Sequence, residues 1–471
     1  MIWMIMPVYN TEAYLGEAIE SVIRQDISFE ENIILHLIDD ASTDSSLSIC
    51  NRYQEKYPAN IRVTHFEMNR GVSYARNYAL EKCLEEQQKD PDMIVGFLDS
   101  DDRISQSFVS HVKNFMESYP KIHIAATEIH YFGTLNEPYR LNTRFLDREI
   151  VDIRKDYTYP QYYIGGVFLR GRALKKLHFD PDMDFWEDAM AVNRVILLEG
   201  KYGLVRNARY YYRKRADETS LADRAWKDMR HYRRILNNGY MRLIQYSIRH
   251  KLRVVPYIQF VVAYHLRKFL NPARSSEIQS DNLEEFKGEL RRILRYIKPE
   301  VITRIPTPLP MIEGMLSIKA GKRVRIPRTY TEDDCLFLHH GHEITRMSER
   351  QVRLFYIVRH NEEYLGMWRG RFSSPAYAMK KDDYIFAEHG GRRIQAMRYP
   401  CHKRIYILGD LLRNYKYAGF VIDIPREWER ARFGIHMEGH DILLNEVVFS
   451  EVKEEITEQA PSEEKENEND G

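Results

Sequence analysis

The chain has 471 residues, of which 44% are hydrophobic and 30% charged. That is too long for one core, so two or three domains are expected, and the composition excludes global disorder. The net charge of +1 hides an asymmetry: residues 201–330 carry 29 Lys and Arg against 11 Asp and Glu, whereas residues 451–471 carry nine acids against two Lys. The basic stretch suits a polyanion or an anionic membrane surface, and the acidic end reads as a solvated, disordered tail. Four scattered cysteines (Cys50, Cys83, Cys335, Cys401) have no metal-ligand spacing. With no leader-like segment and no apolar run of about 18 residues, the expected location is cytoplasmic, with peripheral contact at the inner face of the membrane.

In chain order, "IWMIMPVYN" (2–10) is a short apolar run, as a buried strand would be, and "EAYLGEAIESVIRQ" (12–25) carries apolar residues at helical spacing. "NIILHLIDDAS" (32–42), "IRVTHFE" (61–67) and "DMIVGFLDSDD" (92–102) read as further strands. "DSSLSICNRYQEKY" (44–57) and "SYARNYALEKCLEEQQ" (73–88) read as the helices between them. This alternation predicts a parallel sheet covered by helices. Beyond it come a helix (111–119), a strand (122–133), a strand, glycine turn and helix (162–179), a helix (185–200) and a strand with a basic exit (202–215). Helical spacing dominates 225–300, and the proline-rich "KPEVITRIPTPLP" marks a boundary. Short alternating runs after about 325 predict an antiparallel β-sandwich. The expected division is 1–222, 223–324 (basic, helical, with linker), 325–453 and an acidic tail, 454–471.

Polar groups gather at the ends of the first four strands: Tyr9 and Asn10, Asp39 and Asp40, Asn69 and Gly71, and Asp99 to Asp102. In a parallel sheet these ends form the ligand-binding face. Two acids separated by one residue at a strand end can aim their carboxylates at one region, and such oxygen ligands suit Mg²⁺ or Mn²⁺ holding a substrate diphosphate. Each cluster alone also fits a solvated turn or a helix cap.

Taken in order, "PVYNTEAYL", "IDDASTDSS", "NRGVSYARN" and "FLDSDD" resemble glycosyltransferase family 2, over about residues 1–220. The resemblance implies an α/β GT-A nucleotide-diphospho-sugar transferase fold, a UDP-sugar donor, a divalent cation (Mn²⁺ or Mg²⁺) and inverting transfer. Pro7 and Tyr9 would flank the base, Asp40 would bond the uracil edge, and Asn69 and Arg76 would line the nucleotide pocket. Asp99 would contact the ribose and Asp101 the metal. In "DFWEDAMAVNRVI", Asp188 would be the catalytic base, with Glu187 beside it at the acceptor. Acids at a helix start also favour the helix dipole without any chemistry. The basic segment "YYYRKRADETS" would cover the diphosphate through Arg213, Lys214 or Arg215, and Ser220; arginine suits bidentate phosphate contact. Gly165 and Gly166 of "YIGGVFLR" would form an acceptor floor. One departure is Ala41, where the family more often has glycine; it is tolerated if that turn needs no positive φ.

The layout also resembles bacterial enzymes that glycosylate wall teichoic acid and append β-modules. The implied partners are a nucleotide-sugar donor and a polyanionic or lipid-linked glycan acceptor, with the C-terminal domain as a candidate surface for self-association or polysaccharide, and Trp368 as a candidate sugar platform. No nucleic-acid signature is present. Two rivals remain at this point: a non-catalytic polymer-binding protein on a transferase fold, and a nucleotidyltransferase. The second lacks the expected glycine-rich basic loop after the first strand.

Overall fold

The structure is a computed structural model that describes residues 1–88, 90, 92–183, 185–215, 229–271, 283–350, 352–358, 364–372, 377–425 and 427–451. The acidic tail from 454 and Ser220 lie outside the described residues, as does the side chain of Trp368. Two compact units form: residues 1–265 with 288–301, and residues 266–287 with 302–471.

The first unit is built on β1 (Ile2–Val8), β2 (Ile33–Asp39), β3 (Ile61–His65), β4 (Ile94–Phe97), β5 (Arg103–Ile104), β6 (Ile124–Gly133), β7 (Ile150–Asp152), β8 (Val167–Arg170) and β9 (Lys201–Lys214). Strand β1 pairs in parallel with β2 on one side and β4 on the other, and β2 pairs in parallel with β3. Both strands are buried along almost their whole length, which is why they read as near-continuous apolar runs, broken in β2 by the buried His36 and Asp39. Helix α1 (Glu12–Ile23) buries Leu15, Ala18, Ile19 and Val22. The helices α2 (Ser46–Lys56), α3 (Val72–Gln87) and α4 (Phe108–Ser118) complete this half.

The expected parallel sheet holds for these four strands only. The sheet continues from β4 through β8, β6 and β9 to β5, with β7 also on β9. Strand β8 is antiparallel to both β4 and β6, while β6 and β9 run parallel. The switch point between β1 and β4, where ligands bind in such sheets, places the acid-rich turn after β4 beside the end of β1. The two-residue β5, too short to show a periodicity, pairs Arg103 with Tyr211 and Ile104 with Tyr210. It thereby ties that turn to the basic end of β9.

Helix α5 (Glu187–Glu199) and two helices of the basic region, α6 (Arg242–Lys251) and α7 (Pro256–Leu266), also belong to this unit, though Leu266 itself falls in the second. Buried hydrogen bonds join them: Tyr257 donates to Asn193 Oδ1 at 2.7 Å and Tyr162 to the Val261 carbonyl at 2.7 Å. Among the described residues no helix is long and apolar enough to cross a membrane.

The second unit begins its C-terminal part with α8 (Leu309–Ala320) and a three-stranded antiparallel sheet, β10 (Arg328–Tyr330), β11 (Cys335–His339) and β12 (His342–Arg346). Two four-stranded antiparallel sheets follow. One holds β13 (Val352–Val358), β14 (Tyr364–Phe372), β17 (Met397–Tyr399) and β20 (Gly419–Pro425). The other holds β15 (Tyr384–His389), β16 (Arg392–Gln395), β21 (Arg430–Met437) and β22 (His440–Val448). Phe420 of the first and Phe433 of the second meet at 6.3 Å between ring centroids. The hairpin β18 (Arg404–Ile407) and β19 (Asp410–Asn414) stands apart as a two-stranded sheet.

The turn after β2 does need a positive φ, because Ala41 has φ +59°. The turn folds back so that the Ser42 amide donates to Asp39 Oδ2 (3.2 Å) and the Thr43 amide to Asn10 Oδ1 (2.8 Å). A left-handed non-glycine residue costs about 1–2 kcal/mol, partly offset by the roughly 0.5–1 kcal/mol of chain entropy a glycine would lose. Ala41→Gly should therefore stabilise the first unit by up to about 1 kcal/mol, a rise of about 2–4 °C in Tm. An unchanged or lower melting temperature would contradict the strain at this turn.

Candidate active site

At the end of β2, the buried Asp40 carboxylate accepts the Arg70 and Gly71 amides, each at 2.8 Å. It thereby pins the loop that starts α3, with Gly71 at φ +84° in the cap position. Asn69 donates to the Asp40 carbonyl at 3.3 Å and is otherwise exposed. Pro7 lies at the end of β1 opposite Ile38, and Tyr9 just beyond it is 48% exposed. These four residues form the rim at the ends of β1 and β2.

A second cluster centres on Arg76, which α3 carries on its buried face. Its Nη2 donates to Asp99 Oδ1 at 2.8 Å. Its Nη1 donates to Asp188 Oδ1 at 2.5 Å and to Glu187 Oε1 at 3.4 Å. One guanidinium therefore draws together the end of β4 and the start of α5. Burial works against the charge of Arg76, but the three carboxylates outweigh it and hold the guanidinium protonated. Burial pushes the Asp188 carboxyl well above the usual carboxylate range; Arg76 pulls against this, and Glu187 and Asp99 add to it. The other oxygen of Asp188 accepts the Ile164 amide at 3.2 Å.

Gly165 and Gly166 follow directly and are buried. A Cβ on Gly165 would lie 2.6 Å from the Tyr210 hydroxyl, and one on Gly166, which has φ +73°, 2.3 Å from Thr127 Oγ1. The two glycines let the backbone run tight against β9 and β6 and so deliver the Ile164 amide to Asp188.

The third cluster is the acid-rich turn. Tyr210 is buried, accepts the Asp99 amide at 3.1 Å and donates to Asp102 Oδ2 at 2.7 Å. The Arg213 amide donates to Asp102 Oδ1 at 2.8 Å. The Arg213 side chain donates through Nε to the Asp101 carbonyl at 2.7 Å, pairs with Glu17, and lies over the rings of Tyr14 and Phe132. Lys214 lies over Tyr131 and Tyr212. Of the three basic residues, it is Arg215 that meets the Asp101 carboxylate, at 2.5 Å. Burial pushes Asp101 above the usual range, opposed by Arg215 and reinforced by Asp99; it pushes Asp102 further, with Asp101 and Asp99 adding. Such a crowd of acids favours an added cation.

Among the described residues no group of three or more His, Cys, Asp or Glu side chains converges to hold a metal by itself. Asp101 beside Asp99 fits Mg²⁺ or Mn²⁺ of the kind that takes one or two carboxylates and completes its shell with substrate phosphate and water.

The residue before Glu187 carries a strain that no motif signals. Trp186 has φ +67°, rare for a bulky side chain. It is buried against Tyr240 (4.9 Å between centroids) and His265 (5.8 Å), and Tyr240 and His265 are bonded at 2.6 Å. Gly239, in a π-helical turn over Ile235–Met241, leaves the space for the indole: a Cβ there would lie 2.9 Å from Trp186 Cε3. Strained residues held by their surroundings gather at functional sites. The sequence marks Asp102 only as part of the acid cluster and does not single out Tyr210, Trp186 or Gly239. Tyr210 and Trp186 lie inside quoted motifs, whereas Gly239 has no local signal.

Comparison with known proteins fits this geometry. The sequence signature of Glycosyl transferase family 2 matches residues 3–177. The Minor teichoic acid biosynthesis protein GgaA of Bacillus subtilis (strain 168) is 34% identical over 431 residues, covering 90% of this chain and 92% of its own. The crystal structure of S. aureus TarS superposes with a TM-score of 0.59 at 13% identity, covering 94% of this chain and 77% of TarS. TarS 1–349 in complex with UDP-GlcNAc superposes with a TM-score of 0.51 at 16% identity, covering 73% of this chain and 98% of that one.

Gly239→Ala tests the support beneath α5. Forcing a methyl against the indole should destabilise the first unit by about 1–3 kcal/mol and shift the tryptophan fluorescence. Wild-type stability and emission together would show that Trp186 does not depend on Gly239.

Proposed function

The chain belongs to glycosyl transferase family 2, and on that premise we propose that it moves a sugar, with inversion, from a UDP-sugar to a hydroxyl of a teichoic acid or related surface polymer. The observation that carries the reading is the Arg76 cluster, which brings Asp99 from the end of β4 and Glu187 and Asp188 from the start of α5 to one guanidinium on α3. The name of GgaA supports a teichoic acid product. The fold neighbour solved with UDP-GlcNAc supports a uridine diphosphate donor. In this reading residues 1–222 perform the chemistry.

Asp188 is the base. An inverting displacement needs a carboxylate that removes the acceptor proton as the hydroxyl attacks the anomeric carbon. Asp188 has the raised proton affinity for that task, and Arg76 and the Ile164 amide fix its orientation. Glu187 stands beside it to contact the acceptor. Asp40, Asn69, Pro7 and Tyr9 form the nucleotide rim, and Asp99 reaches the ribose. Arg213 and Arg215, held over Tyr14, face the departing diphosphate. When bound, Mg²⁺ or Mn²⁺ would be held by Asp101 and would neutralise charge on the leaving group.

Release of UDP, rather than pyrophosphate, from a UDP-sugar in Mn²⁺ is the direct test. A donor screen by thermal shift across UDP-, GDP-, TDP- and CDP-sugars should give its largest rise with a UDP-sugar, by mass action on the folded state. No rise with any of them would remove the donor assignment.

Asp188→Asn should lower turnover by about 10²–10⁴-fold, the range for losing a general base, while UDP still raises the melting temperature. Comparable turnover in the variant would transfer the role to another group.

The pH dependence follows from the direction of the Asp188 shift. The base works only when ionised, so kcat/KM should fall as pH drops through a value above the ordinary carboxylate range. Arg76 pulls that value down, so Arg76→Gln should move the acid limb to higher pH. An acid limb that stays in place in the variant would show that Arg76 does not tune the base.

A further inference from the structure

We propose that the second unit carries a separate, non-catalytic cleft that binds an anionic phosphodiester polymer. The cleft has a volume of about 890 Å³. It is bounded by α8, the segment 323–330, residues 377–381 and the end of the β18–β19 hairpin, all within the second unit. Its lining contains seven Lys and Arg against two Glu. Three of the seven come from "GKRVRIPR", the end of the basic stretch that the catalytic reading leaves unused.

Both acids are already committed. Glu313 is 2% exposed and holds Arg325 and Arg413, each at 2.6 Å, together with the Ile326 amide at 3.0 Å. Glu438 meets Arg328 at 3.1 Å, Lys380, and the Tyr330 hydroxyl at 2.5 Å. A carboxylate that balances two cations leaves one positive charge over and fixes its direction. Arg413 is itself buried, so its guanidinium is held in place before any ligand arrives. Arg323, Lys381 and Lys416 are exposed and make no ion pair among the described residues. Fixed guanidiniums with mobile ammonium groups around them are the donors that phosphate oxygens need.

Several spaced cations in an open cleft favour a repeating anion over a single one. The tyrosines favour a polyol or sugar phosphate chain over a nucleic acid, which is gripped by stacking bases on free rings. Tyr330 is stacked on His440 at 4.2 Å, Tyr377 is buried with Arg328 over it, and Tyr417 carries Arg398 and Lys416. What the cleft presents is charge rather than free rings. The choice of polymer rests on the transferase reading, whereas the cleft's preference for a phosphodiester chain rests on these contacts alone.

The test is titration of the full-length chain with poly(ribitol phosphate), without donor, at several salt concentrations. The comparison is a variant carrying Arg323→Glu, Lys381→Glu and Lys416→Glu; all three side chains are exposed, and a melting curve confirms the fold. Affinity should fall at least about tenfold in the variant, and the slope of log K against log salt should shrink by about 2, as three phosphate contacts require. Wild-type affinity and slope in the variant would overturn the cleft. Single-stranded DNA of equal phosphate number bound as tightly, with the same loss in the variant, would overturn the polyol polymer in favour of nucleic acid. Polymer binding lost in the variant, with no sugar transfer by either protein, would keep the cleft and remove the transferase reading.

Discussion

The first unit depends on one guanidinium answering three carboxylates. A buried arginine without partners would cost several kcal/mol of desolvation, so Arg76 obliges α3 to keep Asp99, Glu187 and Asp188 in reach. Asp99 stands at the end of β4 and the other two at the start of α5, so the parallel half of the sheet and the mixed half are joined through this group. The charge balance is deliberately uneven: three acids face one base. Burial pushes the Asp188 carboxyl toward holding a proton, and against the pull of Arg76 the neighbouring Glu187 and Asp99 add to it.

The acid-rich turn is organised on the same plan but with the opposite need. Asp102 is consumed by Tyr210 and the Arg213 amide, which fix the turn. Among the described residues, the Asp101 carboxylate meets Arg215. The two acids are thus adjacent in sequence and separated by their partners.

Much of this was legible in the sequence because the first four strands end in polar groups that a buried parallel sheet would otherwise not place there. Arg76, Asp99, Asp101, Glu187 and Asp188 were all marked by their motifs. Their mutual contact was not, since it depends on pairing between strands far apart in the chain. Arg76 was read as lining a nucleotide pocket, and its three acid partners emerged only in three dimensions. The sequence leaves open whether the turn at Ala41 needs a positive φ; the bonds from the turn to Asp39 and Asn10 fold it there. Trp186 and Gly239 carry no sequence signal because a strained backbone held by a distant π-turn has no period. In the C-terminal part the alternation gave away many of the strands, but not the order β13-β14-β20-β17, which depends on non-local pairing.

The two charged centres invert one another. In the first unit one guanidinium is shared by three carboxylates, and the surplus is negative. In the second, Glu313 is shared by Arg325 and Arg413, and the surplus is positive. In each case the minority charge is buried and rigid, and it orients the majority charges around it. A negative surplus in a low-dielectric site raises proton affinity, whereas a positive surplus at the wall of an open cleft lowers the energy of an arriving anion. The same device, with the sign exchanged, therefore has opposite effects: the one favours a carboxylate that can be neutralised, and the other presents guanidiniums that cannot.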